Sequence, residues 1–154
     1  MNELSEHLLR AVEFAEMTLQ DISETESETP VLPGGWSRKE LIGHLIDSAS
    51  NNHQRFVRAA QQPSLEFPGY DQKGNVKVQA VQQADWALMV SLSAGYNRYL
   101  AHVIAHLPPS KLETVCRIGA GEPVTLSFLA TDYLSHMLHH LKQIGAAEGV
   151  EASA

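Results

Sequence analysis

Apolar residues recur at steps of three or four in four separate stretches of the chain, and each stretch predicts a long amphipathic helix. The four stretches cover residues 2–20, 38–61, 85–107 and 126–147. In the last stretch, His136 and His140 lie one helical turn apart on the apolar stripe itself. Four long helices predict an all-α, four-helix bundle, and the length of the chain favours a single domain over residues 1–154.

Capping residues and prolines indicate where the helices begin and end. Ser37 and Glu40 match the S-x-x-E capping box at the start of the second helix, and Asp85 is a candidate N-cap for the third. Residues 21–33 are acidic and contain two prolines, which predicts a loop. Residues 63–83 contain Pro and Gly and carry no helical stripe, so we predict one long connection of the kind that often covers a binding site.

Two short segments before the last helix predict a small β-hairpin. Residues 114–118 and 123–125 are the strand candidates, and a glycine-containing turn joins them. Cys116 lies in the first strand and is the single cysteine of the chain, so no internal disulfide can form. We interpret it as a small packing residue in preference to a reactive thiol.

Charge and hydropathy exclude several kinds of partner. The formal net charge is −7 and no Lys/Arg cluster occurs, which argues against nucleic acid as a general partner. No apolar run approaches the roughly 18 residues of a membrane span, and no signal peptide precedes the first helix. We therefore expect a small-molecule substrate and no membrane partner, and the single cysteine favours a reducing cytoplasm.

The histidine pair of the last helix is the first candidate for chemistry. A spacing of four residues lets the imidazoles of His136 and His140 converge on one metal ion, although hydrogen-bonded core histidines would show the same spacing. His139 lies about 100° away around the helix and is expected to face water or a partner chain. A third inward histidine would favour the metal site, and His44 in the second helix is a candidate for that position.

A polar strip follows His44 along the second helix. Ser48, Asn51, Asn52 and Arg55 form it, which is typical either of a wet, polar pocket or of a solvated helix face. In the long connection, the candidate contact residues are Phe67, Tyr70 and Asp71.

Three local motifs resemble those of the DinB-like superfamily, and in particular its YfiT-type group of metal-dependent hydrolases or bacillithiol transferases. The motifs are Trp36-Ser37 ahead of the helix that contains His44, the loop Pro68-Gly69-Tyr70-Asp71, and the segment from Ser135 to His140. The resemblance covers residues 34–145. It implies a four-helix bundle that pairs as a homodimer and binds a divalent metal through three histidines, which by position are His44, His136 and His140. The chain departs from the motif at Gly69, which is inserted after the proline of the loop.

The chemistry expected of such a site follows from its ligands. Three imidazoles leave a coordination position open, which is the arrangement of a catalytic site, but they do not distinguish zinc from nickel. Asp47, Ser48 and Asp132 are candidates to orient the imidazoles. Because no protein nucleophile is evident, we favour transfer of a low-molecular-weight thiol to a small electrophile. Hydrolysis of a small molecule and a non-catalytic, metal-binding dimeric bundle remain the alternatives. The candidate substrate-binding residues are Asn51, Asn52, Arg55, Tyr70 and Asp71.

Overall fold

The computed structural model describes residues 1–147, so residues 148–154 of the predicted domain lie outside the described part. The chain forms an all-α, four-helix bundle with a small sheet at one side, as predicted. In chain order, the elements are α1 (Asn2–Gln20), α2 (Glu24–Ser27), α3 (Arg38–Gln61), β1 (Ser64–Phe67), α4 (Gln72–Val78), α5 (Trp86–Ala105), β2 (Val115–Ile118), β3 (Val124–Thr125) and α6 (Leu126–Ile144). Short 3₁₀ turns at Val81–Gln83 and Pro109–Lys111 flank α5.

The four long helices pack in the order α1, α5, α3, α6, and α6 returns to contact α1. Burial of their apolar stripes drives this arrangement, because each stripe removes a continuous hydrophobic surface from water. Residues that are fully buried include Leu8 of α1, Phe56 of α3, Leu100 and Ile104 of α5, and Leu126 of α6. As a consequence, α3 and α6 lie side by side along the face that carries all three candidate histidines.

Side-chain caps set the helix boundaries near the predicted positions. The Oγ atom of Ser37 accepts a hydrogen bond from the Glu40 amide at 3.1 Å, and the Glu40 carboxylate accepts from the Ser37 amide at 2.8 Å. The Asp85 carboxylate caps α5 by accepting from the Leu88 amide at 2.7 Å. At the other end of the chain, α6 stops at Ile144, three residues before the predicted end, because Gly145 takes a left-handed conformation with φ of 87°.

The connection 63–83 has more structure than the sequence predicts. It contains β1, α4 and a 3₁₀ turn, and β1 pairs parallel with β2, while β2 pairs antiparallel with β3. The predicted hairpin is thus confirmed, but it belongs to a three-stranded sheet. The four residues of β1 carry too little local signal to be found alone, since they gain their hydrogen bonds from a strand far away in the sequence.

The acidic loop 21–33 also contains a helical turn, α2, which anchors a buried lysine of α3. The Lys39 ammonium is 1% exposed, contacts the Glu24 carboxylate, and lies 3.3 Å from Glu28 Oε1. Burial alone would lower the pKa of Lys39, but hydrogen bonds to the two carboxylates outweigh it and raise that pKa. Glu24 also accepts a hydrogen bond from the Trp86 amide at 2.9 Å, so this cluster joins α2, α3 and α5.

Within residues 1–147, each helix is too short or too polar to span a bilayer.

Candidate metal centre

Three imidazoles from two neighbouring helices converge on one point. The Nε2 atom of His136 lies 3.1 Å from Nε2 of His44 and 3.1 Å from Nε2 of His140. The candidate ligand atoms of all three residues lie within 4.8 Å of one another. Two imidazole nitrogens on one tetrahedral zinc ion are about 3.3 Å apart, given bond lengths of about 2.0–2.1 Å. The side chains therefore need to move little to share one ion.

Hydrogen bonds to the outer ring nitrogens orient two of the three imidazoles. The Nδ1 atom of His140 lies 2.9 Å from Oε1 of Gln143, so an Nδ1–H donor there leaves the lone pair of Nε2 pointing to the centre. The Nδ1 atom of His136 lies 3.4 Å from Ser48 Oγ. By contrast, Nδ1 of His44 is buried without a hydrogen-bond partner among the described residues. The Trp36 ring packs against the His44 ring at a centroid distance of 5.3 Å.

Of the three residues expected to orient the imidazoles, Ser48 does contact one. Asp47 and Asp132 form no hydrogen bond with the three histidines within residues 1–147. Gln143 contacts His140 instead and was not among the predicted residues. Gln143 could have been predicted from the sequence, because it lies three residues after His140 on the same helix.

The site keeps its imidazoles neutral. Burial, followed by the nearby charges of the other two rings, lowers the pKa of His44 to about 4. Burial, followed by the charge of His140, lowers the pKa of His136 to about 4 as well, and burial lowers the pKa of His140. Neutral imidazole is the form that binds metals, so at neutral pH three lone pairs are available at one point. This donor set fits a divalent metal ion.

His139 is not part of this centre. Its side chain is exposed, as the sequence predicts, and its Nε2 atom lies 3.1 Å from Nε2 of Gln143. His139 is therefore a natural control for the neighbouring His140 in mutational experiments.

A polar cavity of about 270 Å³ opens on the His136 side of the centre. Its polar lining includes Ser48, Asn52, Arg55, Tyr70, Asp132 and His136. Three of the five candidate substrate-binding residues thus line this cavity, namely Asn52, Arg55 and Tyr70. The other two have local partners and do not line the cavity: Asn51 donates to the Asp47 carbonyl at 3.0 Å, and Asp71 caps α4 by accepting from the Gly74 amide at 3.0 Å.

The inserted Gly69 packs against the turn between β2 and β3. A Cβ atom on Gly119, whose φ is 57°, would lie 3.3 Å from the Gly69 amide nitrogen. This close backbone approach brings the next residue, Tyr70, into the lining of the cavity, where burial raises the pKa of its hydroxyl. The long connection therefore covers the site, although it is held by the sheet and is not an unstructured loop.

A second space of about 610 Å³ opens on the His140 side. Its lining is mainly apolar and includes Val31, Leu32, Trp36 and Leu41, together with Lys73 and His140. This apolar cleft was not predicted from the sequence. The apolar pair Val31–Leu32 within an otherwise acidic and polar loop was the available signal. The histidine centre is thus bordered by two spaces of different chemistry.

Cys116 is a packing residue, as predicted. Its side chain is 0% exposed and its thiol donates to the Thr114 carbonyl at 3.4 Å. Burial raises the pKa of this thiol, which disfavours the reactive thiolate. It lines neither the polar cavity nor the apolar cleft.

Three histidines from two helices of this bundle point inward and converge on one point. This arrangement is typical of the class of helix bundles that bind a metal in their core. The particular family follows from comparison with known proteins: the model of the DinB superfamily matches residues 7–144, and the chain belongs to this superfamily.

Relatives with assigned names support the same placement. A protein of Bacillus licheniformis (strain ATCC 14580) is 24% identical over 91% of this chain and 77% of its own length. A protein of Bacillus mycoides (strain KBAB4) is 22% identical over 94% of this chain and 79% of its own length. Both bear the name "Putative metal-dependent hydrolase", as does YfiT of Bacillus subtilis (strain 168). YfiT is 22% identical over 94% of this chain and 78% of its own length. A solved structure of YfiT from Bacillus subtilis, described as "a probable metal-dependent hydrolase with an unusual four-helix bundle topology", matches 93% of this chain and 82% of its own. Its TM-score is 0.85 at 19% identity, which establishes the shared fold.

Proposed function

We propose that the protein binds one divalent metal ion through His44, His136 and His140, and that it transfers a low-molecular-weight thiol to a small electrophile at this centre. The observation that carries the proposal is the convergence of the three Nε2 atoms, with two spacings of 3.1 Å. When bound, the ion acts as a Lewis acid that lowers the pKa of a coordinated thiol or water. Zinc and nickel both suit three imidazoles, so the metal is proposed as one of these two.

The protein's own residues would position the reactants. His44, His136 and His140 hold the ion on rigid helices, and Gln143 keeps the ring of His140 in the productive orientation. In a transfer, the thiol sulfur forms a bond to the electrophilic carbon, the leaving group departs with its electron pair, and the thiol proton goes to solvent. The two spaces beside the centre offer separate places for two reactants, whereas hydrolysis needs only one besides water.

The lack of a suitable protein nucleophile also favours an external thiol. Cys116 is buried away from the centre, and its thiol pKa is raised. Ser48 Oγ lies 3.4 Å from His136 Nδ1, but a neutral His136 that binds the metal through Nε2 carries its proton on Nδ1 and so cannot act as a base for the serine. A covalent intermediate on the protein is therefore not expected.

Two other functions compete with this proposal. Metal-dependent hydrolysis is favoured by the names of the relatives. A non-catalytic, metal-binding dimeric bundle needs only the histidine geometry.

A panel of small thiols with the chromogenic electrophile 1-chloro-2,4-dinitrobenzene, followed by nitrophenyl esters and anilides, distinguishes these functions. Transfer predicts a metal-dependent rate that saturates with thiol and is lost in His140→Ala but kept in His139→Ala. Metal-dependent ester or amide turnover without a thiol-dependent rate would favour hydrolysis. Turnover of neither kind would favour the non-catalytic bundle.

We propose further that the protein is a cytoplasmic homodimer that acts on a small molecule and does not bind nucleic acid. A reducing compartment suits a single, buried, unpaired Cys116, and a net charge of −7 disfavours nucleic acid. For the dimer, support comes from an exposed apolar stripe on α5: Leu88, Leu92 and Tyr99 are 63%, 50% and 53% exposed.

A further inference from the structure

Arg55 is a buried cation without an acidic partner in residues 1–147. Its side chain is only 9% exposed, yet the described ion pairs within 4.0 Å involve Lys39 and Arg98 instead. Its guanidinium donates one hydrogen bond to a described residue, from Nη1 to Asn52 Oδ1 at 3.3 Å, and Nε is buried without a partner. Because a guanidinium has five N–H donors, most of its hydrogen-bonding capacity is unused.

The surroundings hold this guanidinium in place. Its Cζ atom lies over the Phe67 ring at 5.6 Å from the centroid, so one face of the plane is covered while the edge remains able to donate. Asn52 is fixed in turn, because its amide donates to the Ser48 carbonyl at 2.9 Å. Burial lowers the pKa of Arg55, but arginine remains protonated in proteins.

The polar cavity in front of Arg55 does not neutralise its charge. Asp132 is the acidic residue of the lining, and its charge favours the protonated form of Arg55, but it is exposed and lies beyond the 4.0 Å of an ion pair. A buried cation that lacks a paired anion is unfavourable, and a bidentate carboxylate is the ligand whose geometry matches the guanidinium.

We propose that this polar cavity is a carboxylate-binding subsite, in which Arg55 anchors the carboxylate of a small organic acid. The further assignment, that this acid is the thiol reactant, rests on the proposed function. Tyr70 and Asn52 complete the polar wall. A volume of about 270 Å³ is sufficient for a small organic acid.

The position of the subsite suits a ligand that also reaches the histidine centre. Arg55 follows His44 by eleven residues on α3, which is about 16 Å of helix. Polar contacts bridge this stretch: Arg55 Nη1 donates to Asn52 Oδ1 at 3.3 Å, and the Asn52 amide donates to Ser48 Oγ at 3.3 Å. Ser48 Oγ lies in turn 3.4 Å from His136 Nδ1. Both Arg55 and His136 line the same cavity. A thiol that carries its carboxylate a few bonds from the sulfur therefore fits this direction.

The first experiment tests the subsite without any metal. Metal-free, ¹⁵N-labelled protein is titrated with sodium propionate, and the Nε–H resonances of its arginines are followed, with 1-propanol as the uncharged control. Arg58 is a control within the same spectrum, because it lies over the same Phe67 ring at 5.9 Å but is exposed and does not line the cavity. We expect a saturable shift of the Arg55 resonance with propionate and none with 1-propanol. A resonance that propionate leaves unchanged, or a shift equal to that of Arg58, would overturn the proposal.

The second experiment uses cobalt-loaded protein and two thiols that share a skeleton, 3-mercaptopropionate and 3-mercapto-1-propanol. Thiolate binding is read from the near-ultraviolet sulfur-to-cobalt charge-transfer absorption. Wild type and Arg58→Gln should prefer the carboxylate by roughly 10- to 100-fold, the usual worth of hydrogen bonds to a charged group. Arg55→Gln should lose that preference and keep its affinity for 3-mercapto-1-propanol. Equal affinities in wild type, or an unchanged preference in Arg55→Gln, would overturn the assignment to a thiol reactant.

A variant-free competition covers the case in which Arg55→Gln does not fold. Propionate should displace 3-mercaptopropionate from wild-type protein far more effectively than 1-propanol does, and failure to do so would count against the subsite. If cobalt or thiols do not bind at all, the proposed function fails, but the metal-free titration still decides whether Arg55 binds a carboxylate.

Discussion

Replacing His140 with alanine is the perturbation that tests the metal centre most directly. Structural zinc sites with four ligands in zinc-finger peptides have apparent binding free energies of about 10–16 kcal/mol, or about 2.5–4 kcal/mol per ligand. Loss of one imidazole should therefore weaken metal binding by roughly 10²- to 10³-fold. The Gln143 side chain only orients His140, at 2.9 Å from Nδ1, so Gln143→Leu should weaken binding by about 10- to 100-fold.

The assay is competition between metal-free protein and a chromogenic chelator, with the stoichiometry checked by elemental analysis. His139→Ala is the matched control, because this neighbouring residue is exposed and outside the centre. A second pair on α5, His102 and His106, has ring centroids 4.2 Å apart and could hold an ion weakly, so all variants are best compared in a His102→Ala background. Wild-type affinity in His140→Ala, or full occupancy when His136 is also replaced by alanine, would refute the assignment.

Three further predictions concern stability and assembly. Because the folded-state pKa of His44 and His136 is lowered to about 4 from 6.5, their contribution to the stability of the metal-free protein is complete above about pH 6.5 and is lost as the pH falls toward 4. The contribution of His44 to the free energy of unfolding should fall by roughly 2 kcal/mol between about pH 7.5 and pH 5. Urea unfolding at the two pH values measures this fall, and an unchanged free energy of unfolding would contradict the buried, neutral state. Glu24→Gln should destabilise the fold more than Lys39→Met. Loss of the Glu24 charge leaves a buried ammonium with one carboxylate, whereas loss of the Lys39 ammonium leaves carboxylates that water can hydrate. Thermal unfolding that gives the reverse order would refute this prediction. Light scattering should give about twice the 16.9 kDa chain mass, and Leu92→Glu on the exposed face of α5 should give the monomer mass; a wild-type monomer at micromolar concentration would exclude the dimer.

The periodicity of the chain was sufficient to predict the bundle and two of the three candidate metal ligands. His136 and His140 were identifiable because a helix places residues four apart on one face, and the apolar stripe around them showed that this face is buried. The capping box of Ser37 and Glu40 likewise depends only on residues close in sequence, and it was located to the residue. His44 was assigned with the added help of a family resemblance, because its own helix face is mixed.

The surroundings of the metal centre could not be predicted from such local patterns in the sequence. The strand β1 exists because it pairs with β2, and Phe67 at its end reaches the Arg55 guanidinium only in the folded chain. Gln143 could have been found from its local spacing, whereas the apolar cleft near Trp36 requires the loop before α3 to fold over α6. Asn51 and Asp71 are polar and lie near the site in sequence, but each satisfies a local backbone group and lines neither space beside the centre.

Local sequence patterns were enough to predict the four helices, their caps and the buried stripe with its two histidines, and the composition gives the net charge of −7. These features depend on interactions between residues a few positions apart, and a linear pattern records them fully. The tertiary structure alone decided that α3 lies beside α6, so that His44 meets His136 and His140, and that Arg55 is buried without an acidic partner beside a polar cavity. Such long-range contacts arise when different apolar faces are buried together, and no local spacing in the chain specifies which faces will meet.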